Sequence, residues 1–357
     1  MKLPPLISVP LSWLYGMVVH IRHKLFDLKI LRSEEFDIPV VCIGNLTVGG
    51  TGKTPVAELL IERFSEHYRV GVLSRGYRRK TKGFVLSTPT SSARTIGDEP
   101  RQMKLKYPSV PVAVCEKRAE GIRLLRKAHP EIELIILDDA FQHRYVEPWV
   151  NILLMDYNNP VSRDRLLPWG RLRDTRNQIH RANFVLGTKC PDDLNPLDMR
   201  IVINSLGLFP YQSLYFTRMR QGEITPLFAD RAVGKVREGD PVIAMSGIAN
   251  PVPLLENLRK RFDVVAELTF DDHHTYRLSD MRRLEALFAA YPDAVVLTTE
   301  KDAVKLTNRK KVPEAVQQRL YYVPIHVSFV ADSESEFLRQ LELYVRTNQK
   351  YSLLHPE

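Results

Sequence analysis

The stretch Pro39-Val40-Val41-Cys42-Ile43-Gly44-Asn45-Leu46-Thr47-Val48-Gly49-Gly50-Thr51-Gly52-Lys53-Thr54-Pro55 decides how the rest of the chain is read. Its first part is a short β-branched and aliphatic run suited to a buried strand; its second part is glycine-rich and ends on a lysine and a hydroxyl. A phosphate chain needs backbone N–H groups to cradle it, glycines that allow close approach, a lysine at the β- and γ-phosphates, and a hydroxyl on Mg²⁺. Gly49, Gly50, Gly52, Lys53 and Thr54 supply those parts in order, with Thr47, Val48 and Thr51 completing the loop. Thr47 departs from the usual pattern, which has glycine there. Pro55 suits a helix beginning at this point, since a first-turn proline forfeits no helical hydrogen bond. ATP and Mg²⁺ are the expected ligands.

Such a loop works with a metal carboxylate at the end of a neighbouring strand. Leu134-Ile135-Ile136-Leu137-Asp138-Asp139 has that form, and two ionised acids after four aliphatics would be costly as simple core. Either Asp138 or Asp139 can hold the ion, and Asp139 alternatively caps or orients the following loop. Mg²⁺ prefers oxygen ligands and bridges phosphates. A GTPase would carry Asn-Lys-x-Asp, yet the best-placed candidate reads Thr188-Lys189-Cys190-Pro191. A partitioning-type ATPase would have lysine at Val48.

Around this loop, buried-strand runs at 38–43, 70–74, 134–137, 152–155 and 184–186 alternate with longer amphipathic segments, which predicts a parallel sheet covered by helices. Between about Asn204 and Asp240 the pattern weakens at Pro210, Gly222, Pro226 and Gly234, and a domain connection is expected there. A second series follows, with strand-like runs at 242–245, 264–268, 295–298 and 321–327 and helical candidates at 253–262, 280–291 and 335–345. The fold class is therefore α/β: a three-layer parallel sheet domain around the phosphate loop, a second, smaller α/β domain, and an N-terminal membrane-interface helix. The expected divisions are 1–34 for that helix, 35–205 for the first domain, 206–240 for the connection and 241–357 for the second domain, whose last helix can return to the first. A length of 357 residues with 44% hydrophobic and 26% charged content agrees with two globular domains. Cys42, Cys115 and Cys190 are odd in number and widely spaced, against a disulfide framework or a thiolate zinc site.

No charged side chain occurs from Leu3 to Val19, where Trp13, Tyr15 and Met17 sit among Leu11, Leu14 and Val18; Arg22, Lys24, Lys29 and Arg32 follow. Pro4, Pro5 and Pro10 interrupt a stretch already short for a span of about 20 residues, and no small-x-small cleavage site follows. Apolar, aromatic, then cationic residues suit a helix lying in a membrane interface; an amphipathic helix docked on the protein's own core is the other reading. The net charge of +9 implies anionic company without choosing among nucleic acid, acidic lipid and a phosphorylated substrate.

Several separated motifs occur in one order: Gly44-Asn45 with the loop from Val48 to Pro55, Ser74-Arg75-Gly76-Tyr77, Gly97-Asp98-Glu99-Pro100, Asp138-Asp139-Ala140-Phe141-Gln142-His143, the run from Leu166 to Asp174, Asp272-His273, and Thr299-Glu300-Lys301-Asp302-Ala303. This set resembles the tetraacyldisaccharide 4'-kinase family of lipid A synthesis, with alanine at Ala140 and aspartate at Asp174 where that family more often has glycine and glutamate. The resemblance implies transfer of the ATP γ-phosphoryl group to the 4'-hydroxyl of a tetraacylated glucosamine disaccharide 1-phosphate, giving lipid IVA at the cytoplasmic face of the inner membrane. It implies Asp98 as the base with His273 of the second domain assisting, Lys53 at the transferring phosphate, and Thr54, Asp138, Asp139 and Asp174 as metal residues. Arg75, Tyr77, Arg118, Gln142 and His143 are candidates for substrate or phosphate binding, with Arg75 and Arg118 alternatively solvated surface arginines. Most arginines between Arg163 and Arg181 read as a solvated basic face; the 1-phosphate or acidic lipid is the other use. The expected partners are the lipid disaccharide and the membrane surface; no nucleic-acid motif or obligate protein partner is read. A membrane-associated P-loop ATPase of the partitioning or motor type is the alternative.

Overall fold

The computed structural model describes residues 4–347; residues 1–3 and 348–357, the outer ends of the expected interfacial segment and second domain, lie outside that description. The aliphatic runs form strands β1 (Val40–Asn45), β2 (Val70–Ser74), β3 (Val85–Leu86), β4 (Val112–Val114), β5 (Leu134–Leu137), β6 (Val150–Asp156), β7 (Phe184–Thr188), β8 (Ser213–Gln221), β9 (Thr225–Pro226), β10 (Pro241–Ser246), β11 (Asp263–Thr269), β12 (Val295–Thr299), β13 (Leu320–Val323) and β14 (Ile325–Phe329). Nine of them build one sheet in the order β14-β8-β7-β6-β1-β5-β2-β4-β3, parallel except at its two edge pairs. The other five build a second sheet, β11-β10-β12-β13-β9, in which β9 is antiparallel. Every residue of β1, β2, β5 and β7 is buried, as strands covered on both faces require.

On one face of the large sheet, Val56, Leu60 and Phe64 of the helix Lys53–Phe64 pack with Phe337, Leu341 and Val345 of the helix Glu334–Thr347. The other face is filled by Ile122 and Leu125 of the helix Arg118–Ala128, with Ile179 and Leu206. The small sheet is likewise covered twice, by Met281, Leu284 and Phe288 and by Leu254, Leu255 and Leu258.

The structure differs from the sequence reading in two places. Residues 321–327 do not make one strand: β13 belongs to the small sheet and β14 to the large one, separated at Pro324, which has no N–H to continue a ladder. The segment expected as a connection contains β8, a nine-residue strand of the large sheet hidden among turn-forming neighbours. The chain thus passes between sheets after β8 and returns after β13, and the Gly222 N–H donates to the Pro324 carbonyl at 2.9 Å where the two crossings meet.

The N-terminal helix Pro5–Asp27 is built inside out relative to an ordinary surface helix. Its buried positions are Ser8, Ser12, His23 and Phe26, while Leu6, Trp13, Leu14, Met17 and Val18 are exposed, Trp13 by 78%. Polar groups hold it down: Ser12 Oγ donates to the Leu166 carbonyl at 2.9 Å and the Tyr15 hydroxyl to the Arg173 carbonyl at 2.7 Å.

Candidate active site

β1 ends at Asn45, and the glycine-rich loop leads into the helix Lys53–Phe64. Gly52, the N-cap, has φ of 84°, a left-handed conformation that L side chains rarely adopt. Neighbouring loops clamp the cradle: Thr188 Oγ1 donates to the Thr51 carbonyl at 2.9 Å, the Val48 N–H to the Arg171 carbonyl at 2.8 Å, and the Arg173 N–H to the Leu46 carbonyl at 2.8 Å. Thr47 and Thr51 are buried, Val48, Gly49 and Gly50 are exposed, and Lys53 and Thr54 are half-buried at the helix start.

Lys53 Nζ donates to Asn45 Oδ1 at 3.1 Å and lies 3.6 Å from Asp139. Arg173 donates to both Asn45 and Asp139. Burial lowers the proton affinity of Lys53, partly offset by Asp139, and the charge of Glu99 is also felt there. The two consecutive acids have different surroundings. Burial raises the Asp139 pKa, but Lys53 and Arg173 outweigh it and hold the carboxyl at about 2. Asp138 is 4% exposed; Oδ2 accepts from Ser74 Oγ at 3.0 Å and Oδ1 makes no hydrogen bond. Burial, then the neighbouring Asp139 charge, pushes it up to about 6. A buried carboxylate oxygen without a donor fits a cation. Among the described residues no cage of three or more His, Cys, Asp or Glu is assembled, and a magnesium site completed by phosphate and water does not require one.

Asp174 is 1% exposed; Oδ1 lies 2.6 Å from His23 Nε2 and accepts from the Thr175 N–H, while Oδ2 is buried without a hydrogen bond. It therefore links the N-terminal helix to the loop beside the phosphate cradle. Arg118, at 1% exposure, is not a solvated surface arginine. It donates to the Cys115 and Asp139 carbonyls, shaping the turn that carries the two acids. Gln142 Nε2 donates to the Asn45 carbonyl at 2.6 Å. Burial, then Arg118, lowers the His143 pKa to about 4, leaving a neutral imidazole. Arg75 and Tyr77 are exposed, and the Tyr77 ring lies 5.2 Å from that of His273. The basic run is not a uniformly solvated face: Arg163, Arg165 and Arg171 are exposed, but Arg173 turns to Asp139 and Arg181 donates to the Phe141 carbonyl over the Phe141 ring.

Gly97 has φ of 96°, and a Cβ there would lie 3.1 Å from Gly76 Cα, so the Gly-Asp-Glu-Pro turn packs directly on the Ser-Arg-Gly-Tyr loop. This places Asp98 at the start of the helix Asp98–Lys106, facing the small sheet. His273, at φ 63°, meets it: Nδ1 is 2.9 Å from Asp98 Oδ2. Lys305 lies 3.5 Å from the same oxygen, while Lys301 lies 3.3 Å from Glu99 and 3.2 Å from Asp272. Burial raises the Asp98 pKa, but the His273 hydrogen bond and the Lys305 charge outweigh it and hold the group below the usual carboxylate range. The structure thus brings Asp98 and His273 together from separate sheets. Asn45, Lys301 and Lys305 have no role in the sequence reading, which places Arg173 only in the basic run; Asn45 and Lys301 lie within its motifs, and Lys305 follows Lys301 by one helical turn, a spacing that puts both on one face.

Taken together, the glycine-rich loop entering the helix Lys53–Phe64, the two acids after β5 and the Asp98–His273 contact between the two sheets have the arrangement of a P-loop kinase. The sequence profile of the Tetraacyldisaccharide-1-P 4'-kinase family matches residues 5–344, and the chain belongs to that family. It is 44% identical over 350 residues to the Tetraacyldisaccharide 4'-kinase of Phocaeicola vulgatus, with 96% of each chain covered. It is 44% identical over 356 residues to the protein of the same name from Bacteroides thetaiotaomicron, covering 96% of this chain and 94% of that one. Its fold superposes on the crystal structure of LpxK from Aquifex aeolicus in complex with ATP with a TM-score of 0.71 at 27% identity, covering 94% of this chain and 98% of that one.

The Asp138 environment gives a signed prediction. Its folded-state pKa of about 6 lies above the ordinary 3.8, so the folded chain binds the proton more tightly. Its stabilising protonation is complete below about pH 4 and is lost as pH rises through about 6. In chelator-treated, nucleotide-free protein, Asp138→Asn should therefore gain on the order of 3 kcal/mol at about pH 8 and nothing near pH 3. Denaturant melts at the two pH values check this.

Proposed function

We propose that the chain transfers the γ-phosphoryl group of ATP to the 4'-hydroxyl of a tetraacylated glucosamine disaccharide 1-phosphate, forming lipid IVA at the cytoplasmic face of the inner membrane. The observation that carries the mechanism is the Asp98–His273 contact beside the phosphate cradle. Asp98 is ionised at neutral pH and takes the proton of the 4'-hydroxyl as its oxygen attacks the γ-phosphorus; the bond to the bridging oxygen breaks and ADP leaves. His273 orients Asp98. Lys53 and the N–H groups of the loop from Thr47 to Thr54 neutralise charge on the phosphates.

Thr54 and Asp138 would hold Mg²⁺, and Asp174, whose Oδ2 is buried without a hydrogen bond, is the further carboxylate that the family resemblance assigns to the metal. The ion, when bound, neutralises phosphate charge and fixes its geometry. Asp139 remains paired with Lys53 and Arg173. Tyr77 lines the acceptor side of the cleft next to His273, and Arg75 stands free for the acceptor's phosphate. Arg118 is buried and shapes the acid-bearing turn, while Gln142, which donates to the Asn45 carbonyl, and His143 are half-buried.

The membrane half of the proposal rests on the inverted N-terminal helix. A lipid acceptor cannot leave its bilayer cheaply, since each buried CH₂ moved into water costs about 0.8 kcal/mol. The enzyme therefore comes to the lipid. No described helix is long and apolar enough to cross a membrane, so the exposed Leu6, Trp13, Leu14, Met17 and Val18 enter the interface while Ser12, Tyr15 and His23 stay on the protein.

Two experiments test these halves. With labelled ATP and the lipid acceptor, the wild type should transfer label to lipid, and Lys53→Ala should lose roughly a hundredfold or more in turnover without losing its melting transition. Label released only as phosphate would favour an ATPase. For the membrane, Trp13→Glu combined with Met17→Glu should leave the melting temperature unchanged and lower cosedimentation with anionic vesicles by roughly tenfold or more; unchanged binding would return the helix to a purely intramolecular role.

A further inference from the structure

We infer that Lys301 is a positioning residue for phosphoryl transfer: its ammonium holds the His273 imidazole in the Nδ1–H tautomer, so that the ring proton on Nδ1 points at Asp98. The inference rests on the reading of Asp98 as the proton acceptor. Lys301 lies in the Thr299-Glu300-Lys301-Asp302-Ala303 run and is half-buried, with 24% of its side chain exposed. An ammonium has three donors and no acceptor. Lys301 Nζ has three neighbours of matching kind: Asp272 Oδ1 at 3.2 Å, Glu99 Oε1 at 3.3 Å and His273 Nε2 at 3.3 Å.

All three donors are used only if Nε2 offers a lone pair. A proton on Nε2 would set an N–H against a group that can only donate and leave one ammonium proton unmatched. The other ring nitrogen faces the reverse situation. Nδ1 is 2.9 Å from Asp98 Oδ2, and an ionised carboxylate can only accept. One neutral tautomer satisfies both sides, with hydrogen on Nδ1 and the lone pair on Nε2.

The remaining charged groups around the ring leave this assignment standing. Asp272 Oδ2 is 3.6 Å from Nε2, too long for a hydrogen bond. Arg78 is occupied with the Asp272 carbonyl at 2.9 Å. Lys305 reaches Asp98 at 3.5 Å and not the ring. Tyr77 offers His273 only its ring.

This fixes the route of the proton. His273 has no free base site, so it cannot be the final acceptor. As the new P–O bond forms, the acceptor O–H breaks and the proton goes to the Asp98 carboxylate. The His273 and Lys305 contacts both fall on Oδ2, which leaves Oδ1 for that proton. Because Glu99 belongs to the first domain and Lys301 to the second, the tautomer is set only when the cleft is closed.

The test is ¹⁵N NMR of the full chain with labelled histidine, the His273 signal being identified by its loss in His273→Ala, together with steady-state kinetics. The wild type should show His273 protonated on Nδ1 and unprotonated on Nε2 from about pH 7.5 to pH 8.5. Lys301→Met should convert the signal to the Nε2–H tautomer or to imidazolium and lower kcat roughly tenfold or more with the KM for ATP unchanged. Lys301→Arg, still a donor-only cation, should keep the wild-type signal. A wild-type His273 that is imidazolium or Nε2–H in this range overturns the inference even if Lys301→Met does not fold, as does a Lys301→Met protein with unchanged signal and kcat. Full turnover in Asp98→Asn beside an intact Nδ1–H signal would overturn it differently, by removing the function on which it rests.

Discussion

The contact between Asp98 and His273 is made by residues from two sheets whose backbones join near Gly222 and Pro324. Around it, polar and charged contacts hold the cleft closed: Lys301 to Glu99, Lys305 to Asp98, Arg78 to the Asp272 carbonyl, and Lys106 to Glu58 at 2.7 Å and Glu300 at 3.4 Å. Of these, the partly exposed Lys301–Glu99 pair contributes roughly 0–1 kcal/mol, whereas Lys305–Asp98 and Lys106–Glu58 each have a largely buried carboxylate that is costly to leave unpaired. An interface built from polar contacts can be biased by a ligand that prefers the closed form. On the proposed reading, the Asp98–His273 pair is assembled by these contacts between the two sheets.

The phosphate side obeys a complementary constraint. Three cations, Lys53, Arg173 and Arg118, converge on the Asp138-Asp139 turn, and two of them are spent on the Asp139 carboxylate. Asp138 is left buried, poorly paired and with its pKa raised to about 6. The proposed divalent-ion site would carry such a cost in the empty state. The folded protein tolerates one destabilised acid because the surrounding strands are fully buried and supply the stability.

Much of this was legible in the sequence because its signals are local. The strand before the glycine loop, the paired acids after Leu134–Leu137, and the helix starts are set by neighbours within a few residues. The Asp98–His273 pairing was available only through the family resemblance, since nothing local connects residues 175 positions apart. What stayed hidden was decided by tertiary context. β8 and β14 lie beside turn formers, and their sheet is chosen by partners far along the chain. Arg118 reads like any helix-start arginine, and only the closure of the acid-bearing turn over it makes it a buried one. The N-terminal helix was ambiguous because the same apolar residues serve a core or a membrane; its orientation, with serines inward, supports the proposed membrane reading.

The central claim is that Asp98 and His273 act as one unit assembled across the cleft. A double-mutant cycle on kcat, with Asp98→Asn, His273→Ala and both together, tests it most directly. The account predicts that either single change removes most of the rate and that the second adds little, because residues of one catalytic unit lose their joint effect with the first substitution. Losses that multiply in the double variant would contradict it and make the two residues independent contributors.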